Sequence, residues 1–103
     1  MEARSGNEGI PYSDREDFSI DKDIRASIFD KWLLENGFKY ISTLMSNTGG
    51  VRQYENKDIY VGIFKNKGDA ELYWYIDRTS DHRELGNGTG LSLMMFKIKK
   101  FSK

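Results

Sequence analysis

Two neighbouring stretches, IYVGIFK (residues 59–65) and AELYWYIDR (residues 70–78), alternate with a period of two and are joined by the turn NKGD. That period sends successive side chains to opposite faces of a strand, and the intervening turn residues fold the pair into a hairpin. One face collects Ile59, Val61, Ile63, Leu72, Trp74 and Ile76, an aliphatic surface with one indole that belongs against a core. The other collects Tyr60, Phe64, Tyr73 and Tyr75, flanked by Glu71 and Asp77. An antiparallel sheet covered on one side presents polar residues on the other. This hairpin presents rings, so whatever the chain folds into must account for two apolar faces.

The helix that covers the first face is expected in SIDKDIRASIFDKWLLENGF, where Ile24, Ile28, Phe29, Trp32 and Leu33 recur at spacings of three and four. Ser19 or Asp21 suits its start, and Gly37 suits the left-handed stop, so the helix is placed over residues 22–36. After Gly37 the period changes to two. FKYISTLM and VRQYE, separated by SNTGG, read as strands preceding the hairpin, and LSLMMFKIKKF reads as a last strand. The expected fold is therefore α+β, with one N-terminal amphipathic helix packed on an antiparallel meander sheet of about five strands. In that arrangement Met94, Phe96 or Ile98 of the last strand joins the ring cluster. The lysines at 97, 99, 100 and 103 then form a basic fringe that protects an edge strand against unwanted pairing.

A chain of 103 residues accommodates one domain. Residues 1–17 hold Gly, Ser, Asn and charges with few apolar side chains, so they read as a flexible or extended arm, and residues 18–103 as the single α+β domain. Sixteen basic and sixteen acidic residues cancel. That balance removes any general attraction to nucleic acid or anionic membrane. There is no cysteine, which excludes disulfides and thiol chemistry, and no apolar run long enough for a membrane span, so a soluble, cytoplasmic protein is expected.

Chemistry is sparsely signposted. RTSDHRELGNGTG contains the only histidine, His82, between Asp81 and Arg83, and reads as a long loop. A carboxylate beside a histidine suits acid–base work, yet nothing nominates a nucleophile or second titratable partner, so no catalytic residue is assigned. The same loop offers a second possibility, a small anionic ligand or nucleotide held by Arg78, His82 and Arg83 with the backbone at Gly86, Gly88 and Gly90. A dinucleotide motif opens a helix, whereas a strand is expected to follow here. The acidic run SDREDFSIDKD lacks the glycine and terminal glutamate of a calcium loop, and neither metal nor cofactor is expected.

FDKWLLENGFKY (residues 29–40) resembles a segment found in small uncharacterised proteins of Bacteroidetes and their phages, in which an amphipathic helix with a W-L-L-x-x-G-F core leads into an antiparallel sheet. That pattern ends in a helix, where the present chain reads as a basic strand. The resemblance implies a mobile-element or phage setting, in which small neutral proteins act as inhibitors that bind and block a host protein. Together with the ring face, this makes a non-enzymatic protein-interaction module the leading expectation, with a protein partner or homodimer seated on Tyr60, Phe64, Tyr73 and Tyr75. Rings buried on this scale need cover. The chain's own arm, with Ile10, Tyr12 and Phe18, is the alternative occupant. Nucleic acid is disfavoured because acids sit where phosphate-binding bases are needed.

Overall fold

The computed structural model describes residues 15–101, with side chains from Ser19 onward. Three helices, α1 (Arg15–Arg25), α2 (Ile28–Glu35) and α3 (Leu91–Phe101), accompany five strands. The strands are β1 (Lys39–Ser46), β2 (Gly49–Glu55), β3 (Ile59–Asn66), β4 (Tyr73–Arg78) and β5 (Glu84–Gly88). They lie in chain order and every neighbouring pair is antiparallel. The α+β class and the five-stranded antiparallel meander are thus observed, whereas the single helix is not.

The expected helix over residues 22–36 is two helices. Ser27 adopts an extended backbone (φ −82°, ψ 162°), its hydroxyl accepts from Asp30 N and donates to the Ile24 carbonyl at 2.5 Å. A side chain that satisfies the end of one helix and the start of the next makes two short elements as favourable as one long one. The break also rotates the stripe. Ile20 and Ile24 of α1 and Phe29 and Leu33 of α2 are buried, while Ile28, read as part of the stripe, is 61% exposed. Gly37 ends α2 with φ 90°, and Phe38 N returns to the Leu33 carbonyl, as a left-handed stop requires. Helix α1 opens at Arg15, inside the stretch assigned to the arm, and its Ile20 is core. Ile10 and Tyr12 lie outside the described residues.

The C-terminal segment read as a strand is α3. Its buried residues, Met94 and Ile98, are four apart, and Leu91 and Phe101 pack beside the same core, a helical rather than a two-residue period. Lys99 and Lys100 sit in its last turn, where cations favour the helix dipole, so the basic fringe guards no strand edge. Lys97 is also helical, with its alkyl stem near Gly86, and Lys103 lies outside the described residues. The fifth strand is β5, which occupies part of the expected loop and leaves residues 79–83 before it and 89–90 after it as connections.

All three helices contribute to one cluster with Tyr54, Ile59, Val61, Ile63, Trp74 and Ile76 from the sheet. The indole Nε1 of Trp74 donates to the Gly90 carbonyl at 2.9 Å, and its ring lies against the bare α-carbon of Gly88. Within this core side, β2 and the first two helices are tied by charge. Arg52 donates to Tyr54 Oη (3.0 Å), Asp21 (3.1 Å) and Asp30 (3.5 Å), and Tyr54 Oη donates to Asp30 at 2.5 Å. The guanidinium also sits 4.1 Å from the centroid of the Tyr40 ring. Burial and the Asp30 carboxylate hold the Tyr54 phenol protonated far above its usual range, which keeps it a donor. Among the described residues the helices thereby occupy one side of the sheet and leave the other uncovered.

Candidate interaction surface

Register decides which side chains share the second side. Tyr60 pairs with Asp77, Gly62 with Tyr75 and Phe64 with Tyr73 across β3 and β4. On the β2 side, Glu55, Gln53 and Val51 stand opposite Tyr60, Gly62 and Phe64, and Ser42 and Leu44 of β1 continue the rows. Directly opposed residues of antiparallel strands point to the same face. The four rings expected to cluster therefore share a face, extended by Leu44, Val51 and Gln53. Met94 and Ile98 are in the opposite core and Phe96 projects from α3, so none of the three is a strand neighbour of the rings.

Phe64 touches two of the other rings. Phe64 stacks on Tyr73 with centroids 5.2 Å apart and an interplanar angle of 21°, and is tilted against Tyr75 at 6.3 Å. Tyr75 lies flat over Gly62, where an added methyl group would overlap its ring. That is the physical reason for a glycine in the middle of a strand. Two hydrogen bonds orient the ring tips: Gln53 Nε2 donates to Tyr75 Oη at 3.3 Å, and Tyr73 Oη donates to Asp69 at 2.9 Å. The Asp69 carboxyl is pulled below its ordinary value by the Glu71 N–H first and by Tyr73 next. The hydrogen bond to Asp69, and then that carboxylate's charge, raises the Tyr73 phenol in turn.

Along this face the character changes from apolar to acidic. At one end Leu44, Val51, Phe64 and Tyr75, together with Gly49, Gly50 and Lys65, line a groove of about 410 Å³. At the other, burial and the neighbouring Glu84 raise the Asp77 carboxyl above its ordinary value, partly offset by His82. Tyr60, between Glu55 and Asp77, is raised by burial first and then by Tyr75 and these acids. Among the described strand positions of this face the single base is Lys39, paired with Glu55 at the start of β1. Asp77 and Glu84, which pair with no base, suit a cation at that end of an apolar segment and disfavour phosphate.

The alternative ligand set is divided. Arg78, His82 and Arg83 gather at the turn between β4 and β5, where Arg78 N donates to the Arg83 carbonyl and Arg78 Nη1 reaches Asp81 at 3.4 Å. Asp81 also accepts from Arg83 N, and His82 holds a left-handed φ of 59°. Gly88 pairs with Trp74 at the far end of β5, and the Gly90 carbonyl already accepts from Trp74 and Met94. Gly86 and Gly88 are strand residues, not a phosphate-cradling loop, and α3 rather than a strand follows. Gly86 lies three residues along the chain from Arg83, roughly 10 Å, and Gly88 five, roughly 17 Å.

Among the described residues no group of three or more His, Cys, Asp or Glu side chains is placed to hold a metal ion, and no helix is long and apolar enough to cross a membrane. Comparison with protein-family models, with curated proteins and with solved structures finds no match to this chain.

Alternation alone pointed to the four rings. Leu44, Val51 and Gln53 were missed because they join the face only through the pairing of β1, β2 and β3, which no single stretch specifies.

Proposed function

We propose that the chain is a non-enzymatic protein-interaction module whose ring face seats an extended segment of a partner protein, with an apolar or aromatic anchor in the groove and a Lys or Arg toward Asp77. One observation carries this reading: Phe64, stacked on Tyr73 and in contact with Tyr75, lines with Tyr75 the same groove as Leu44 and Val51, on the sheet face opposite the core residues that meet the helices. Tyrosine supplies contact area with little side-chain entropy to lose and a hydrogen-bonding tip, which is why it is enriched at binding hot spots. Acting by occupancy, such a module fits the inhibitor role that the phage-like segment implies, with a host protein as the blocked partner.

Panning a random-peptide display library on the immobilised full chain tests the reading. Peptides combining an aromatic or long aliphatic residue with a flanking base are expected to enrich. Truncation of a central hot spot costs about 2 kcal/mol or more, so Tyr75→Ser should weaken the selected peptides by at least about tenfold. Its melting temperature should stay close to that of the parent, because Tyr75 is only half-buried. Absence of enrichment, or peptides that bind Tyr75→Ser and the parent equally, refutes it.

A further inference from the structure

Among the described residues β1 and β5 are the two edges of the sheet, and they are unlike. Strand β5 has five residues, begins with Glu84, contains Gly86 and Gly88, and has a register irregularity where it meets β4. Shortness, charge and irregularity are the features by which sheets discourage further pairing. Strand β1 has eight residues, and from Tyr40 to Ser46 it reads Tyr-Ile-Ser-Thr-Leu-Met-Ser, with no charge, proline or glycine. Its single bulge lies at one end, between Tyr40 and Ser42, so Ser42 to Ser46 run in regular register with β2. Alternate N–H and C=O groups of that run face outward, as they do along any edge strand.

We propose that β1 pairs antiparallel with β1 of a second copy of this chain, joining two sheets into one. The occupant follows from the strand's own composition. A two-fold pairing sets each residue of this run against another residue of the same run, and like charges placed opposite each other destabilise a ladder. Here no register produces such a clash. The balanced formal charge of the whole chain removes long-range repulsion between copies as well. With the two-fold axis at Leu44, that side chain meets its own copy, Ser42 faces Ser46, and Thr43 faces Met45. Leu44, 55% exposed in the single chain, is then covered. The contact is closed, because each protomer's remaining edge is the protected β5, so it yields a dimer rather than a filament. Both ring faces emerge on the same side of the joined sheet, with the two grooves flanking the seam.

Native mass spectrometry and sedimentation of the full chain over a concentration series test the pairing. A dimer is expected that becomes monomeric in Leu44→Lys, persists in Tyr75→Ser, and shows amide-exchange protection at residues 42–46 that weakens on dilution. The exchange measurement on the unaltered chain reads the seam even where a variant fails to fold. A monomer throughout, a dimer that survives Leu44→Lys, loss of the dimer in Tyr75→Ser, or protection at β1 that is independent of concentration overturns it. Because Tyr75→Ser weakens peptide binding but spares the seam, failure of this proposal is distinguishable from failure of the functional one.

Discussion

Replacement of Arg52 by Met removes the cation that joins β2 to α1 and α2. Arg52 and Asp30 are each only 7% exposed. Without the guanidinium, Asp30 keeps the Tyr54 hydroxyl as donor, and Asp21, less buried, turns to water. Breaking a buried ion pair from one side costs about 3–5 kcal/mol, because the remaining charge is stranded. The retained Tyr54 bond and the partial solvation of Asp21 place Arg52→Met at the lower end, about 3 kcal/mol. For a domain of this size that corresponds to a fall in melting temperature of roughly 12–24 °C. Urea unfolding followed by tryptophan fluorescence reads it, since Trp74 is fully buried. The double variant Arg52→Met, Asp30→Asn removes both charges, leaves the Tyr54 hydroxyl an amide oxygen to donate to, and should regain at least about half of the loss. A cost below about 1 kcal/mol for Arg52→Met, the range of solvated surface pairs, refutes the reasoning, as does a double variant whose loss is the sum of the singles.

Gly62→Ala should displace the Tyr75 ring yet cost no more than about 1 kcal/mol, because the tip of that ring swings into solvent rather than into backbone; denaturant unfolding together with affinity for selected peptides checks both halves. Asp77→Asn should melt higher than the parent near neutral pH. Burial and Glu84 raise the folded-state pKa of this carboxyl above its unfolded value, so it weakens the fold increasingly as pH rises through that window. The gap should close as pH falls below the usual carboxylate range, where both states are protonated, and melting curves across pH follow it.

The hairpin of β3 and β4 was legible because each of its strands satisfies one period on two faces at once. The segment that becomes α3 was not, since Leu91, Leu93, Met94, Met95, Phe96 and Ile98 populate both a two-residue and a helical period. Packing chose between them: Met94 and Ile98 complete the core against the sheet, and the lysines beside them then fall in the last helical turn. Strand β5 was hidden for the opposite reason. ELGNG has poor strand propensity, and its glycines read as loop until Trp74 is seen lying on Gly88, a position no side chain could share. The helix break had a visible mark, since Ser27 precedes Asp30 at capping distance, but the continuous apolar spacing masked it. The Arg52 network left only a hint, a charged residue two positions before a tyrosine on what alternation makes the covered face.

Hydroxyl-radical footprinting of the folded full chain, read by mass spectrometry, tests the open ring face most directly. Tyr73 and Tyr75 flank Trp74 in sequence, so one peptide carries both answers. Oxidation is expected at Phe64, Tyr73 and Tyr75, with Trp74 and Tyr54, both fully buried, protected until the chain unfolds. Protection of Tyr73 and Tyr75 equal to that of Trp74 in a verified monomer would mean that the chain itself seals this face, and would contradict the account.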